Sequence, residues 1–354
     1  MKIRATRSDE LHALATFLTA GGMPHTADTL RWKFWDSPGR LNGCGKSIVA
    51  EIDGRIVGHI GVMPATVHVD SPEPGELSGG WFVDWVVRED LRSRGIGIFL
   101  LREAQKTCRA LMTIQGTADT RQALPALQWV EQESLSVFKL NVRAGGTCDD
   151  AGLGRRIATE LARVVRYHAV QWPIPEGWSL IPLGASPADD PWHELDAVLA
   201  RQHQSLNGAF CHFGRSAEAL SWLFKTHPAG HYRLTIARDT AGPAGYIIWR
   251  TCRGSGDRID GRMVDILAPW DRPDVWQWLV SVIVGHLASE GVVQISCLAG
   301  DDSVLADALK ANRFLPRQDL PLWISPLAAE FCIPHRWHAT FADSDIDAAC
   351  EVIP

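Results

Sequence analysis

The sequence predicts an α/β protein built from two similar halves in tandem. Its 354 residues are enough for two domains, since a domain typically takes about 100–200 residues. Apolar runs with the composition of strands alternate with helical apolar spacing from the first residues onward. In addition, a group of features from the first half recurs in the same order after residue 178, which is typical of a duplicated fold.

Helices and strands alternate through the first half. A helix is predicted over residues 8–19, where Leu11, Leu14 and Leu18 form one apolar stripe. The Asp53-Gly54 pair between two β-branched runs predicts a hairpin. The elements predicted after this helix are strands at 47–52, 55–62 and 81–87, a helix at 98–111, a strand at 112–115, a helix at 122–131 and a strand at 136–142.

A change in composition marks the boundary between the halves. Residues 144–150 have the composition of a loop, and residues 152–170 form an Arg-rich amphipathic pattern that ends before Pro173 and Pro175. A new strand begins at Trp178. The predicted domains are residues 1–145 and 178–326, joined by a linker helix within 146–177 and followed by a solvated acidic tail, 327–354.

Three matched features support the duplication. The pattern Trp-x-Phe-x-x-x-Pro begins at Trp32 and again at Trp222. The shared order of the features indicates a repeat more strongly than any one of them does. The other matches are the hairpins 50–59 and 237–246 and the strands 83–87 and 264–268, in which Asp84 corresponds to Asp265.

Composition and charge exclude several classes of protein. With 46% hydrophobic and 21% charged residues, the chain has the composition of a globular protein. A net charge of -6 offers nucleic acid no overall basic field, and no run approaches the ~20 apolar residues of a membrane span. The N-terminus lacks an apolar secretory signal, and the eight cysteines include no Cys-x-x-Cys pair, so we expect a cytoplasmic protein with reduced thiols.

No metal site is predicted. His227 and His231 have the spacing of two ligands on a helix, but Pro228 between them favours a loop. Residues 343–347 are similar to a calcium-binding loop, yet Ala348 stands where that loop requires glycine.

The most informative segment joins the strand 81–87 to the helix that follows it. Arg92, Gly95 and Gly97 fall there in the order Arg-x-x-Gly-x-Gly. The glycines permit a sharp turn that directs several backbone N–H groups to one point, and the helix N-terminus adds the positive end of its dipole. This arrangement predicts a pyrophosphate-binding loop, the alternative being a glycine-containing turn without a ligand. Leu100, where a third glycine would be needed, excludes the dinucleotide-binding fingerprint.

This segment resembles motif A of the GCN5-related N-acetyltransferases, the GNAT superfamily, whose pattern is Arg/Gln-x-x-Gly-x-Gly/Ala. The resemblance covers residues 1–143 with this motif and residues 178–325 in outline. Residues 305–314 are similar to the helix and Gly-Phe pair that close many such domains, with Arg313 in place of glycine. The resemblance implies two tandem GNAT-like domains, each a mixed, mostly antiparallel sheet flanked by helices.

The resemblance also implies a cofactor and its site. Acetyl-CoA or another acyl-CoA is expected to lie across the loop, with its pantetheine arm paired to the backbone of the preceding strand. The second half carries Pro269-Trp270-Asp271-Arg272-Pro273 at the matching place, so one CoA site per chain is expected. The expected cofactor-binding residues are Val86, Val87, Arg92, Ser93, Arg94, Gly95, Ile96 and Gly97.

The implied activity is transfer of an acyl group to the amine of a small molecule. The Trp-x-Phe-x-x-x-Pro element and residues 337–347 also resemble those of tandem GNAT proteins associated with bacterial polysaccharide biosynthesis, which favours an amino sugar as acceptor. Two alternatives stay open. The acceptor is an antibiotic or natural-product amine, or the protein binds CoA for regulation or assembly without catalysis.

Acyl transfer needs a base for the amine and donors for the oxyanion. Asp84, on the strand before the loop, is the first candidate base, although Asp265 occupies the matching place in a half without the motif, so a structural role is the alternative. His59 is the second candidate, and Glu51 fits surface polarity better. By analogy with the family, the backbone N–H of Val87 is the oxyanion donor.

The family often supplies a tyrosine as general acid from the helix after the next strand. That helix contains no tyrosine here, and the chain has Tyr only at 167, 232 and 246. The usual tyrosine acid is therefore excluded. We expect either Tyr232 or Tyr246 to reach the site from the second half, or the thiolate to leave unassisted.

Overall fold

The computed structural model describes residues 1–38, 46–70, 75–114, 116–142, 171–181, 191–205, 210–228, 230–254, 258–326, 336–345 and 347. The predicted loop 144–150, the linker helix 152–170 and most of the tail lie outside the described residues. Within the described ranges, no helix is long and apolar enough to cross a membrane.

The first half contains strands and helices close to those predicted. Its strands are β1 (Lys2–Ala5), β2 (Lys46–Ile52), β3 (Arg55–Asp70), β4 (Gly75–Val87), β5 (Ala110–Ile114) and β6 (Val130–Asn141). Its helices are α1 (Leu11–Ala20), α2 (Ala27–Phe34), α3 (Ile96–Gln105) and α4 (Ala118–Ala126).

The last helix and strand of this half begin earlier than predicted. The prediction of a helix at 122–131 misplaced both ends of α4. Thr117 caps its start by accepting a hydrogen bond from the backbone N–H of Thr120, and Gln128, with φ +63°, leaves the helical conformation just beyond its end. β6 therefore begins at Val130, six residues before the predicted start at residue 136.

The second half resembles the first in the order of its elements but contains two additional strands. Its strands are β7 (Ser179–Leu180), β8 (Phe210–Phe213), β9 (Arg233–Asp239), β10 (Gly242–Arg253), β11 (Ile259–Leu267), β12 (Gln294–Gly300), β13 (Leu315–Ile324) and β14 (Arg336–His338). Its helices are α5 (Leu195–Ser205), α6 (Ala217–Leu220), α7 (Pro273–Ser289) and α8 (Val304–Ala311).

The described strands of both halves form one continuous sheet. The order along its main path is β1-β2-β3-β4-β5-β13-β6-β12-β11-β10-β9-β7. On this path β4–β5 and β11–β12 are parallel pairs, and the other pairs are antiparallel. This mixed, mostly antiparallel sheet flanked by helices confirms the predicted fold class.

The two halves exchange one strand each at the centre of the sheet. β13 lies between β5 and β6, and β6 lies between β13 and β12. Read outward from the central β13–β6 pair, the two sides show the same sequence of parallel and antiparallel neighbours. The boundaries predicted at residues 145 and 178 thus divide the chain but do not divide the sheet. Either half alone would expose an unpaired sheet edge.

The matched tryptophans of the two halves contact each other. The indole N–H of Trp32 donates to the carbonyl of Trp222 at 2.8 Å, and the indole N–H of Trp222 donates to the carbonyl of Trp32 at 3.1 Å. Their ring centroids are 5.4 Å apart. The repeated Trp-x-Phe element is therefore a reciprocal contact that holds the halves together.

The helices of the first half cover opposite faces of the sheet. α1 and α2 pack with Trp81, Val83 and Val86 of β4 on the face that we call the front. α3 and α4 pack with Phe82 on the back face. The alternation of side chains along a strand explains this division.

The C-terminal segment, residues 336–345 and 347, corrects the expectation of a solvated acidic tail. Asp343 pairs with Arg215 at 2.7 Å, and Asp345 pairs with Lys33 of α2 at 2.7 Å on the front face. Asp347 pairs with Arg262 at 2.9 Å. These carboxylates are drawn inward because each neutralises a cation that is wholly or mostly buried.

Candidate functional site

The predicted phosphate-binding loop connects β4 to α3. Ser93 and Gly95 both adopt left-handed conformations, with φ values of +65° and +77°. The first backbone bond within α3 runs from the N–H of Phe99 to the carbonyl of Gly95 at 3.1 Å. The N–H groups of the three residues before Phe99 therefore have no partner within the helix, and they lie beside the exposed Arg92 and Arg94. This geometry suits an anion of the size of a pyrophosphate.

Two glycines let α3 approach the sheet closely. A Cβ on Gly97 would lie 3.2 Å from the ring of Trp85, and a Cβ on Gly58 would lie 3.0 Å from Leu100. Gly97 thus favours close packing against the strand, whereas Gly95 is favoured by its left-handed backbone conformation.

β4 and β5 separate beside this loop. Their parallel pairing covers only Gly79–Trp81 of β4 with Ala110–Met112 of β5. Beyond Trp81, β4 continues to Val87 without a partner on that side among the described strands, so a wedge-shaped opening forms between β4 and β5. An extended ligand arm could pair with the free backbone edge there.

Val87 directs its N–H into this opening. The N–H of the next residue, Arg88, donates to the carbonyl of Val57 on β3 at 2.9 Å. Because successive backbone groups of a strand point to opposite sides, the N–H of Val87 points away from β3 and toward the opening. The side chain of Arg92 also approaches this edge, with its Nε 3.5 Å from the Val87 carbonyl oxygen.

Asp84 lies at a bulge in the same strand. The register between β3 and β4 shifts between His59 and Gly61, and Asp84 has φ +53°. His59 supports this bulge, since its Nδ1 lies 2.9 Å from the Asp84 carbonyl oxygen and its Nε2 lies 2.9 Å from Ser47 Oγ. Both ring nitrogens of the fully buried His59 therefore contact protein groups, which favours a supporting role over proton transfer with a substrate.

The Asp84 carboxylate is the centre of a buried charge cluster on the front face. Its Oδ2 accepts a hydrogen bond from Lys33 Nζ at 3.0 Å, and its Oδ1 lies 2.8 Å from His25 Nε2. Lys33 is itself fully buried and also bonds Asp345. Burial alone would raise the pKa of Asp84, but Lys33 and His25 outweigh burial and hold that pKa well below its usual range. Asp84 thus stays ionised and is a weak base by itself.

His25 and Lys33 are the members of this cluster that the sequence did not reveal. His25 lies in the connection between α1 and α2, which passes over the end of β4. A Cβ on Gly21 would lie 2.9 Å from Cγ1 of Val86 there. Lys33 carried one signal, because it stands between Trp32 and Phe34, and a lysine between two buried aromatic residues needs a buried counter-charge.

The matching place in the second half is filled differently. Asp265 accepts hydrogen bonds from Arg215 and from the hydroxyl of Tyr246, the latter at 2.6 Å. Tyr232 instead donates to Asp347 at 2.7 Å. Burial, followed by the neighbouring carboxylate, raises the pKa of each tyrosine. In the sheet, β13 and β6 lie between the strand of Asp84 and the strands that carry Tyr246 and Asp265. The hydroxyl of Tyr232 is already bonded to Asp347.

Glu51 and the histidine pair account for the remaining candidates. Glu51 pairs with Arg4 of β1 at 2.5 Å, as expected of hairpin polarity. His227 packs against the ring of Trp32, with centroids 4.3 Å apart. Within the described ranges, no group of three or more His, Cys, Asp or Glu side chains could hold a metal ion.

We expect His59 to contribute to acid destabilisation. Burial lowers the pKa of His59 to about 4, whereas an unfolded histidine titrates near about 6.5. Between these values the unfolded chain binds the additional proton, so the free energy of unfolding falls as the pH falls, by up to about 1.4 kcal/mol per pH unit. Urea unfolding at several pH values should show a flatter dependence for His59→Gln. Equal slopes in the variant and the wild type would contradict this expectation.

Two comparisons with known proteins found similarities, one to a protein family and one to solved structures. Residues 12–128 match the family described as the acetyltransferase (GNAT) family. The search of curated protein sequences found no match.

Three solved structures are similar to this chain in fold, each at 12% sequence identity. At that identity the similarity is evidence for the fold alone. N-myristoyltransferase of Saccharomyces cerevisiae with bound myristoyl-CoA has a TM-score of 0.57, over 92% of this chain and 82% of that one. A probable N-acyltransferase of unknown function from Enterococcus faecalis has a TM-score of 0.59, over 92% and 73%. A GCN5-related N-acetyltransferase from Anabaena variabilis has a TM-score of 0.57, over 91% and 72%.

Proposed function

From the match of residues 12–128 to the acetyltransferase (GNAT) family, we propose that this chain is an acyl-CoA-dependent N-acyltransferase of that superfamily. The acyl donor in this proposal is acetyl-CoA, and the acceptor is the amine of a small molecule. One observation carries the proposal: the loop 92–97, with unbonded N–H groups at the start of α3, adjoins the opening between β4 and β5.

The two features suit different parts of acyl-CoA. The N–H groups at the start of α3 and the side chains of Arg92 and Arg94 would hold the pyrophosphate. The pantetheine arm would extend along the free edge of β4 beside Val86 and Val87. The thioester carbonyl would then meet the N–H of Val87, which faces the opening and can stabilise an oxyanion.

His25 is the group in this cluster that can accept the proton of the amine. Its Nε2 faces the ionised carboxylate of Asp84, which only accepts hydrogen bonds, so Nε2 carries the proton of the neutral ring and Nδ1 is left as an acceptor. In the proposed reaction the amine nitrogen attacks the thioester carbonyl and its proton passes to Nδ1. The carbon–sulfur bond breaks, and CoA leaves as the thiolate.

Asp84 and His59, the two bases predicted from the sequence, support this step indirectly in the proposal. Asp84 orients His25 through the contact between Oδ1 and His25 Nε2, while Lys33 balances the charge of Asp84. His59 holds the backbone of Asp84 at the bulge. No tyrosine acts as the general acid in this proposal, because the hydroxyl of Tyr232 donates to Asp347 and that of Tyr246 donates to Asp265. The departing thiolate needs little assistance, since thiols ionise near pH 8.5.

A short acyl chain is favoured by the packing beneath the opening. Trp81, at which the opening begins, packs against Phe213 with ring centroids 4.4 Å apart. The cavity beside these rings has a volume of about 30 Å³, roughly that of one water molecule. For the acceptor, an amino sugar remains our first choice, with an antibiotic or natural-product amine as the alternative.

Calorimetric titration of the full chain tests the proposal. We expect acetyl-CoA to bind with one site per chain, and tetradecanoyl-CoA to bind no more tightly, since the cavity beneath the opening has a volume of only about 30 Å³. Release of free CoA on addition of a panel of amines would then identify the acceptor. Failure to bind acetyl-CoA would refute the proposal. Binding without CoA release for any amine would favour the non-catalytic alternative.

A further inference from the structure

A polar cavity of about 240 Å³ lies on the front face, near the centre of the sheet. It is formed by side chains from five strands and the C-terminal segment. Its walls include Lys139 of β6, Arg258 just before β11, Arg262 of β11 and Phe341. Arg262 stacks on the ring of Phe341, with its guanidinium carbon 4.5 Å from the ring centroid. Phe341 belongs to the C-terminal segment, which reaches Lys33 on the front face through Asp345. The cavity therefore opens on the face that also carries Asp84.

The strand β13 connects this cavity to the opening where the thioester is expected. Leu322 of β13 pairs with Ile114 at the end of β5. Leu320, two residues earlier on β13, lines the cavity. Since two residues of a strand span about 7 Å, the cavity lies about that far beyond the end of β5. A small molecule held in the cavity can thus present an amine to the opening.

The C-terminal segment gives a second connection. Asp345 bonds Lys33, the partner of Asp84, whereas Asp347 pairs with Arg262 and with Arg250 at 3.0 Å. These two aspartates are separated by one residue, so their Cα atoms lie within about 7 Å of each other. The cluster around Asp84 and the cavity are therefore neighbours on one face.

The cavity carries an excess of positive charge. Lys139 forms no ion pair with a described residue, and Arg258 pairs with Asp260 at 2.7 Å while its buried Nε has no hydrogen-bond partner in the described ranges. Asp347 is shared between two arginines, one of them Arg262 in the cavity wall. Among the described residues of the wall, Lys139, Arg258 and Arg262 face one carboxylate, that of Asp260. A partly buried excess of this kind is stabilised by an anion that accepts several hydrogen bonds.

We propose that this cavity binds an anionic group of the acceptor, a phosphate or a carboxylate carried by the same molecule as the reactive amine. The proposal rests on the proposed N-acyltransferase function, because it assigns the second substrate of that reaction. It narrows the acceptor to amines that carry a negative charge on another part of the molecule. An amine without an anionic group would leave Lys139 and the Nε of Arg258 without an anionic partner and would bind less tightly.

Binding of inorganic phosphate tests the cavity directly. The protein is first saturated with CoA, so that the loop 92–97 is occupied, and is then titrated with phosphate in a calorimeter. We expect wild-type protein to bind phosphate, and Lys139→Met to weaken that binding about tenfold or more. Lys310→Met, which removes the same charge from the exposed surface of α8, should leave it unchanged.

A second variant tests the cavity in case Lys139→Met weakens phosphate binding only by disturbing the structure. Arg258→Lys keeps a cation beside Asp260 but removes the guanidinium, and it should also weaken phosphate binding. No phosphate binding by CoA-saturated wild-type protein would overturn the proposal, as would unchanged binding in both variants. Should the protein not bind CoA, the proposed function fails, but the cavity can still be titrated in Gly95→Asp, in which the loop is blocked by charge.

Turnover gives an independent readout. Matched amines with and without phosphate, such as glucosamine 6-phosphate and glucosamine, are compared by CoA release. The phosphorylated amine should have a kcat/KM about tenfold or more above that of its neutral match, and Lys139→Met should abolish this preference. Equal kcat/KM values for the two amines in wild-type protein would contradict the proposal while leaving N-acyltransfer intact.

Discussion

Replacing Gly95 with aspartate is expected to weaken acyl-CoA binding by about 100-fold or more. Gly95 precedes the first turn of α3, where the unbonded N–H groups would hold the pyrophosphate. A carboxylate there sets negative charge against negative charge within a few ångströms, which costs several kcal/mol where water is partly excluded. Space is not the issue, because a Cβ on Gly95 would meet only Phe99, at 3.8 Å. Calorimetric titration with acetyl-CoA measures the effect.

Gly54 supplies a matched control for this substitution. It turns the β2–β3 hairpin with φ +74°, nearly the φ of +77° at Gly95, and a Cβ there would meet nothing within 4 Å. Gly54→Asp and Gly95→Asp therefore impose a similar backbone cost of about 1 kcal/mol in the free energy of unfolding. Only Gly95→Asp should lose acyl-CoA affinity. If both variants bind acetyl-CoA as wild-type protein does, the loop is a glycine-containing turn without a ligand.

Replacing His25 with glutamine is expected to lower kcat by about 100-fold or more while acyl-CoA still binds. Glutamine can keep a hydrogen bond to Asp84, which lies 2.8 Å from His25, but it cannot accept the proton of the amine. General base catalysis by a positioned side chain usually contributes about 10²–10⁴ in rate. Steady-state rates of CoA release, measured over a range of pH, give the effect. The limb of the pH profile that reports the base should disappear in the variant.

The exposed His12 of α1 provides the comparison. His12→Gln makes the same chemical change at an exposed position of the neighbouring helix and should retain wild-type kcat and pH profile. A His25→Gln variant with an unchanged pH profile would show that His25 only shapes the loop. Asp84→Asn is less informative, since it would leave the fully buried Lys33 with Asp345 as its remaining partner.

Local spacing correctly predicted the turn at residues 92–97 and the helix after it. Arg92, Gly95 and Gly97 lie within six residues, so their order along the chain already specifies the turn and the helix that follows it. The contacts of the candidate base Asp84 could not be predicted from local spacing. Asp84 could be recognised by its place before the loop, but its ion pair with Lys33 and its contact with His25 join residues 51 and 59 positions apart in the chain.

The repeat shows the same limit on a larger scale. The spacing around Trp32 and Trp222 indicated a duplicated element, and the structure adds that the two indoles bond each other's carbonyl groups. The exchange of β6 and β13 between the halves left no mark in the sequence, because a strand has the same alternating pattern whichever neighbour it pairs with.

The sequence alone thus determined a mixed α/β fold with duplicated features and one glycine-containing loop suited to a pyrophosphate, since each depends on residues close together in the chain. Only the tertiary structure decided that this duplication forms a single sheet, that the Asp84 carboxylate is neutralised by Lys33, and that the acidic C-terminal segment is buried. Lys33 and Asp345 stand 312 positions apart and meet only when the chain is folded. Ion pairs of this kind form because burial excludes water from both partners, and burial is a property of the whole fold.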